Sequence, residues 1–158
     1  MMHTWFLCKI SYEKTLENGM NKKVTEPYLV DALSFTEAEA RIIEEMTPYI
    51  SGEFSVADVG RAKFSEIFFA EDDINASYWY KVKLGIITLD GKTYAEKKTY
   101  TNVLVQASDL RDAVKRLDAG MKGSMADYII SSMAETAILD VFPYADEKDK
   151  SEFKNKRA

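Results

Sequence analysis

Two hydrophobic periods alternate along the chain, and the order in which they alternate occurs twice. WFLCKI (residues 5–10) and WYKVKL (residues 79–84) place Phe6 with Tyr80, Cys8 with Val82, Lys9 with Lys83 and Ile10 with Leu84. Alternation with aromatic and β-branched residues predicts a strand in each case. Asn18-Gly19 follows the first and Asp90-Gly91 the second, dipeptides that supply the positive φ of a tight hairpin. The return strands are VTEPYLVDAL and KKTYTNVLVQA. Pro27 has no N–H to donate, so the first return strand is expected at an edge or broken there.

The period then lengthens to that of a helix. Phe35, Ala38, Ile42 and Met46, with Ile43 beside them, share one face; Leu110, Ala113, Leu117 and Met121, with Val114, form the counterpart. Ser34 stands three residues before Glu37 as a capping box, and Ser108 or Asp109 serves the second helix. Pro48 and Gly120 are expected to mark the helix ends. A third extended stretch closes each half, residues 54–69 and 128–142, aligned at an offset of 74 residues with Phe64 on Ile138 and Phe68 on Phe142. Gly60 is the expected site of a bulge. YIISSMAETAILDVF reads as strand or helix by itself, and its match to the β-rich SVADVGRAKFSEIFF favours strand.

These elements predict an α+β protein of two tandem ββαβ repeats. The sheet is mainly antiparallel, each repeat carries one helix on one face, and the strand order within a repeat is second, first, third. The first repeat spans residues 1–70, an acidic linker 71–77, the second repeat 78–144 and a charged, mobile tail 145–158. A unit of about 70 residues buries little surface alone. The halves are therefore expected to join in one compact pseudo-symmetric domain, as one six-stranded sheet or two stacked sheets.

The 158 residues are 46% hydrophobic and 30% charged, too apolar for disorder. No apolar run approaches the roughly 20 residues that span a bilayer. MMHTWFLCKI lacks the basic start and cleavage site of a secretory signal, so a cytoplasmic protein is expected. Cys8 is the single cysteine, which excludes an internal disulfide. The net charge of −5 argues against a general duplex-binding surface.

Catalytic chemistry finds little purchase. His3 is the only histidine and cannot form a two-histidine metal site. Cys8 lies between Phe6 and Ile10 on the core side, where a thiol is inert packing. The seven glycines form no GxGxxG and no phosphate loop; MKGSMAD (residues 121–127) follows a helix where such a loop precedes one. Glu71, Asp72 and Asp73 lack the spacing of a calcium loop, and Asp58 and Glu66 are too far apart for a paired acid and base. No catalytic, cofactor-binding or metal-binding residue is expected, and the chain is read as a non-enzymatic module.

Alternation does mark a contact face. Trp5, Leu7, Lys9, Trp79, Lys81 and Lys83 should point away from the helices, joined by Leu29 and Leu104 from the return strands. Arg61 and Lys63 join them if the bulge falls suitably. Three uses compete for this face. It packs against a second copy or a protein partner; it stacks single-stranded nucleic acid on its Trp and Lys residues; or a small anionic ligand such as a nucleotide lies between the repeats, near Lys9, Lys83, Arg61 and Lys63.

YLVDALSFTEAEARI, the leading WFLCKISYEK and the closing DVFPY resemble an uncharacterised family of short proteins from gut-dwelling bacteria and their phages and mobile elements. The likeness runs to Tyr144. It implies an accessory protein of a bacterial or phage-infected cytoplasm and transfers no catalytic residue.

Overall fold

The computed structural model describes residues 4–143, so His3 and the charged tail lie outside the described residues. The first half runs β1 (Trp5–Thr15), β2 (Asn21–Asp31), α1 (Phe35–Met46), β3 (Phe54–Ala62) and β4 (Glu66–Phe68). The second runs β5 (Tyr78–Leu89), β6 (Glu96–Ala107), α2 (Leu110–Met121), β7 (Asp127–Glu135) and β8 (Asp140–Phe142). The fold is α+β: the described residues form two helices and two four-stranded sheets, β3-β1-β2-β8 and β7-β5-β6-β4. The long strands of each sheet are antiparallel, in the expected order of second, first, third; the short outer strand is parallel.

The short strands change sheets. β4 follows β3 in the chain but pairs with β6, Ile67 opposite Leu104. β8 follows β7 but pairs with β2, Val141 opposite Leu29. Each closing stretch is therefore strand, as expected, but broken: residues 63–65 and 136–139 interrupt it, and the chain passes to the other sheet. The compact units accordingly ignore the boundary near residue 70. Among the described residues one takes 4–62 and 140–143, the other Lys63–Leu139. β8 covers β2 only from Tyr28 to Val30, so Pro27 stands just beyond the covered edge, where its missing N–H costs no ladder bond.

On the helix side of the first sheet Phe6, Cys8, Ile10, Val30 and Ala32 meet Ala38, Ile42 and Met46. In the second, Tyr80, Val82, Leu84, Val105 and Ala107 meet Ala113 and Leu117. The period-two and period-3.6 residues thus close on one another as alternation requires. Ser34 caps α1 by accepting from the Glu37 amide at 3.1 Å, and Asp109 caps α2 by accepting from the Asp112 amide at 2.8 Å.

Three local expectations are corrected. The bulge in β3 falls at Ala57, which is skipped between the pairs Lys9–Asp58 and Ile10–Val56; Gly60 lies in regular register opposite Leu7. β7 skips Ser131 in the same way, between Lys83–Ser132 and Leu84–Ile130. The hairpin at Asn18-Gly19 forms with Gly19 at φ +80°, but in the second hairpin Tyr94 takes the positive φ of 58° and Gly91 does not. That loop is organised instead by the Asp90 carboxylate, which accepts from the Lys92 and Thr93 amides and is held below the usual carboxylate range by those bonds. Pro48 does follow the end of α1, whereas Gly120 lies inside α2 against Phe68 of β4.

The acidic connector is docked rather than loose. Gln106 accepts from the Ala70 amide at 2.9 Å and donates to the Ala76 carbonyl at 3.0 Å. Arg116 of α2 reaches Asp72 at 2.8 Å, Asp73 at 3.4 Å and Asp112 at 2.8 Å. Arg41, seventh in α1 as Arg116 is seventh in α2, donates to the carbonyls of Asp31 and Pro143. Each arginine thus fastens the segment that follows the short outer strand of its own unit.

Candidate functional site

Side chains opposite one another in a sheet share a face, so register places every candidate. Across the first sheet one row on the helix-free side reads Gly60, Leu7, Leu29, Val141. The matching row of the second reads Ala134, Lys81, Leu104, Ile67. Lys9 and Lys83 stand one row further along, exposed, as is Lys81. Arg61 is opposite Phe6 and so belongs to the helix side, and Lys63 lies beyond the end of β3. The expectation that both join the helix-free face depended on a bulge near Gly60; the bulge at Ala57 leaves Arg61 in phase with Val59.

The large apolar members are buried. Trp5 is 5% exposed and Trp79 2%, while Leu29 and Leu104 have no exposed surface. Trp79 meets Phe69 edge to face at 5.6 Å, and its carbonyl accepts from the Thr136 amide and hydroxyl, each at 2.8 Å. Leu7 is half-buried.

Further along β5 the same face opens. Tyr100 is 52% exposed and Ile129 39%. Between them lies Gly85, where a Cβ would stand 3.0 Å from Ile129 and 3.3 Å from Tyr100. The missing side chain lets the ring and the aliphatic group close over the backbone. The Lys83 ammonium sits 4.7 Å from the centre of the Tyr100 ring, within cation–π range. In the first sheet the corresponding positions are Ser11, Thr25 and Ser55, all polar, in one row. Continuing the alternation past Lys83 and Asn102 would have exposed this cluster in the sequence.

Cys8 is fully buried; burial pushes its thiol up to about 11, with Asp58 and Glu39 adding to the shift. A thiol so placed stays protonated and is a poor nucleophile. Among the described residues no group of three His, Cys, Asp or Glu side chains is placed to hold a metal ion. No helix among them is long and apolar enough to cross a membrane.

No curated protein matches the chain significantly, and no solved structure does. A family model described as a domain of unknown function (DUF4494) matches residues 4–144, the whole of the described fold, and the chain therefore belongs to the DUF4494 family.

Proposed function

We propose that the chain is a non-enzymatic binding and assembly module working through the helix-free face of its second sheet, with a second copy of itself as partner. The observation that carries this reading is the preformed cluster of Lys83, Gly85, Tyr100 and Ile129. Exposed tyrosine next to exposed aliphatic surface is the kind of group that anchors protein interfaces, because it buries a large area at little rotamer cost. Lys81 and Lys83 supply the polar rim. Trp5, Leu29, Trp79 and Leu104, first read as contacts, support the face from within. The resemblance to short proteins of gut bacteria and their phages supports reading this module as an accessory protein of a bacterial or phage-infected cell.

Sedimentation velocity from low to high micromolar protein tests the reading. The wild type is expected to self-associate, and Tyr100→Ala with Ile129→Ser to remain monomeric with unchanged circular dichroism. A wild type that stays monomeric at high micromolar concentration overturns it.

A second reading is favoured by the exposed ring with lysines on its own strand pair. Tyr100 flanked by Lys83 would stack one base of a single strand, a contact of roughly 1–3 kcal/mol. Titration with labelled oligonucleotides at two salt concentrations decides: no binding at low salt, or binding indifferent to Tyr100→Ala, removes this reading.

A further inference from the structure

We propose that the groove between α1 and β3 is a docking site for an extended peptide whose apolar side chains alternate with lysine or arginine. This site is independent of the face of the second sheet proposed above, and it lies on the helix side of the first sheet.

The groove measures about 410 Å³ and is floored by Ile43, Phe54 and Val56. Ile43, beside the buried stripe of Ala38, Ile42 and Met46, is 40% exposed. Glu39 and Glu53 stand at the walls, and no cationic residue among the described ones lines it. β3 is an outer strand, with β1 as its one neighbour among the described strands. An outer strand presents unpaired main-chain donors and acceptors to one side. Main-chain bonds to that edge, side chains into the apolar floor and cations against the glutamates are the three elements of recognition by strand addition. The bulge at Ala57 twists the edge away, so pairing is limited to residues 54–56, the stretch that lines the groove.

The second unit shows that this opening is particular to the first. The ninth residue of α2, Asp118, occupies the place of Ile43, and Tyr128, opposite Ile86, occupies the place of Phe54, opposite Tyr12. There the Tyr128 hydroxyl donates to Asp118 at 2.7 Å and latches helix to edge strand. The side chains of Ile43 and Phe54 have no polar atoms with which to make such a latch. Val114 likewise replaces Glu39, removing one carboxylate.

The test uses the full chain and a fluorescein-labelled octapeptide of alternating lysine and valine with one central phenylalanine, read by anisotropy. Saturable binding is expected, weakened about tenfold in Glu39→Gln/Glu53→Gln and by a similar factor between about 50 mM and about 500 mM salt. The paired change Ile43→Asp/Phe54→Tyr, which copies the latch of the second unit, is expected to abolish it. The glutamine variant alters two exposed isosteric side chains, so it reports even if the latch variant folds poorly. Amides of residues 54–56 should gain protection from hydrogen exchange on binding. Absence of saturable binding at millimolar peptide, equal binding of a glutamate-for-lysine peptide, or binding that survives both variants overturns the proposal. So does a change in sedimentation of the groove variants without peptide, which would make the occupant a second copy.

Discussion

A methyl group on Gly120 of α2 would lie 2.7 Å from the ring of Phe68 in β4. Real carbon atoms do not approach so closely, and the contact joins a helix to the short strand that completes its sheet. Replacing glycine with alanine inside an exposed helix ordinarily gains about 1 kcal/mol. Overpacking against an aromatic ring costs about 1–3 kcal/mol. Gly120→Ala is therefore expected to be net destabilising by about 1 kcal/mol in urea unfolding, and Phe68→Leu in the same chain to restore the helical gain. A stabilised single variant would mean that β4 is not seated beneath α2.

Arg116 holds the connector to α2, and removing it should free the connector without unfolding the sheet. In Arg116→Ala the amide of Ala70 is expected to exchange about tenfold faster, while amides in β5 keep their protection. Acid should act similarly. The bonds from the Ser108 amide and then Arg116 hold Asp112 below the usual carboxylate range, and Arg116 does the same for Asp72. For depressed groups the stabilisation is present above the ordinary carboxylate pKa and is lost as pH falls through the depressed one. Exchange at Ala70 should thus rise below about pH 4 and be indifferent to that change in the alanine variant.

Buried Cys8 makes an alkaline prediction. Its thiol is pushed up to about 11 by burial, and Tyr28 is pushed up by burial and then by Glu26. Above about pH 9 the unfolded chain releases these protons first, so stability must fall as pH rises. Cys8→Val should flatten the first part of that fall in thermal melts at increasing pH. At neutral pH a soluble disulfide reagent should label the native protein only at the rate of its opening; rapid stoichiometric labelling would refute the burial.

The two exchanged strands should differ in their tolerance of change. Val141 is fully buried and Ile67 half-buried. Val141→Asp leaves a carboxylate without solvent and is expected to cost about 3 kcal/mol or more. Ile67→Ala should cost about 1–2 kcal/mol. A denaturation midpoint for Val141→Asp within error of the wild type would show that β8 does not pair as described.

What was legible in the sequence followed from local periodicity. Phe6, Cys8 and Ile10 alternate, Ala38, Ile42 and Met46 fall on one helical stripe, and each set appears in the core. Ser34 is readable as a cap because a cap is a contact three residues long. The bulge was misplaced because it depends on cross-strand register, and a glycine at position 60 says nothing about which residue β1 skips. Glu66–Phe68 and Asp140–Phe142 are three residues each, too short to declare which strand they adjoin. Most of the candidate residues lie on the helix-free side of their sheets, as alternation implied, but alternation alone cannot distinguish Trp79, which is buried, from Tyr100, which is open.

The borrowing of β8 from the far end also sets an order of events at birth. As the polypeptide leaves the ribosome, the edge of β2 near Leu29 must wait for Val141, about 110 residues later, a delay of roughly ten seconds at ordinary synthesis rates. Until then the amino-terminal half is unfinished however well its helix has formed. Cutting the gene at the apparent midpoint would not release two working halves: each fragment would carry a strand that belongs to the other.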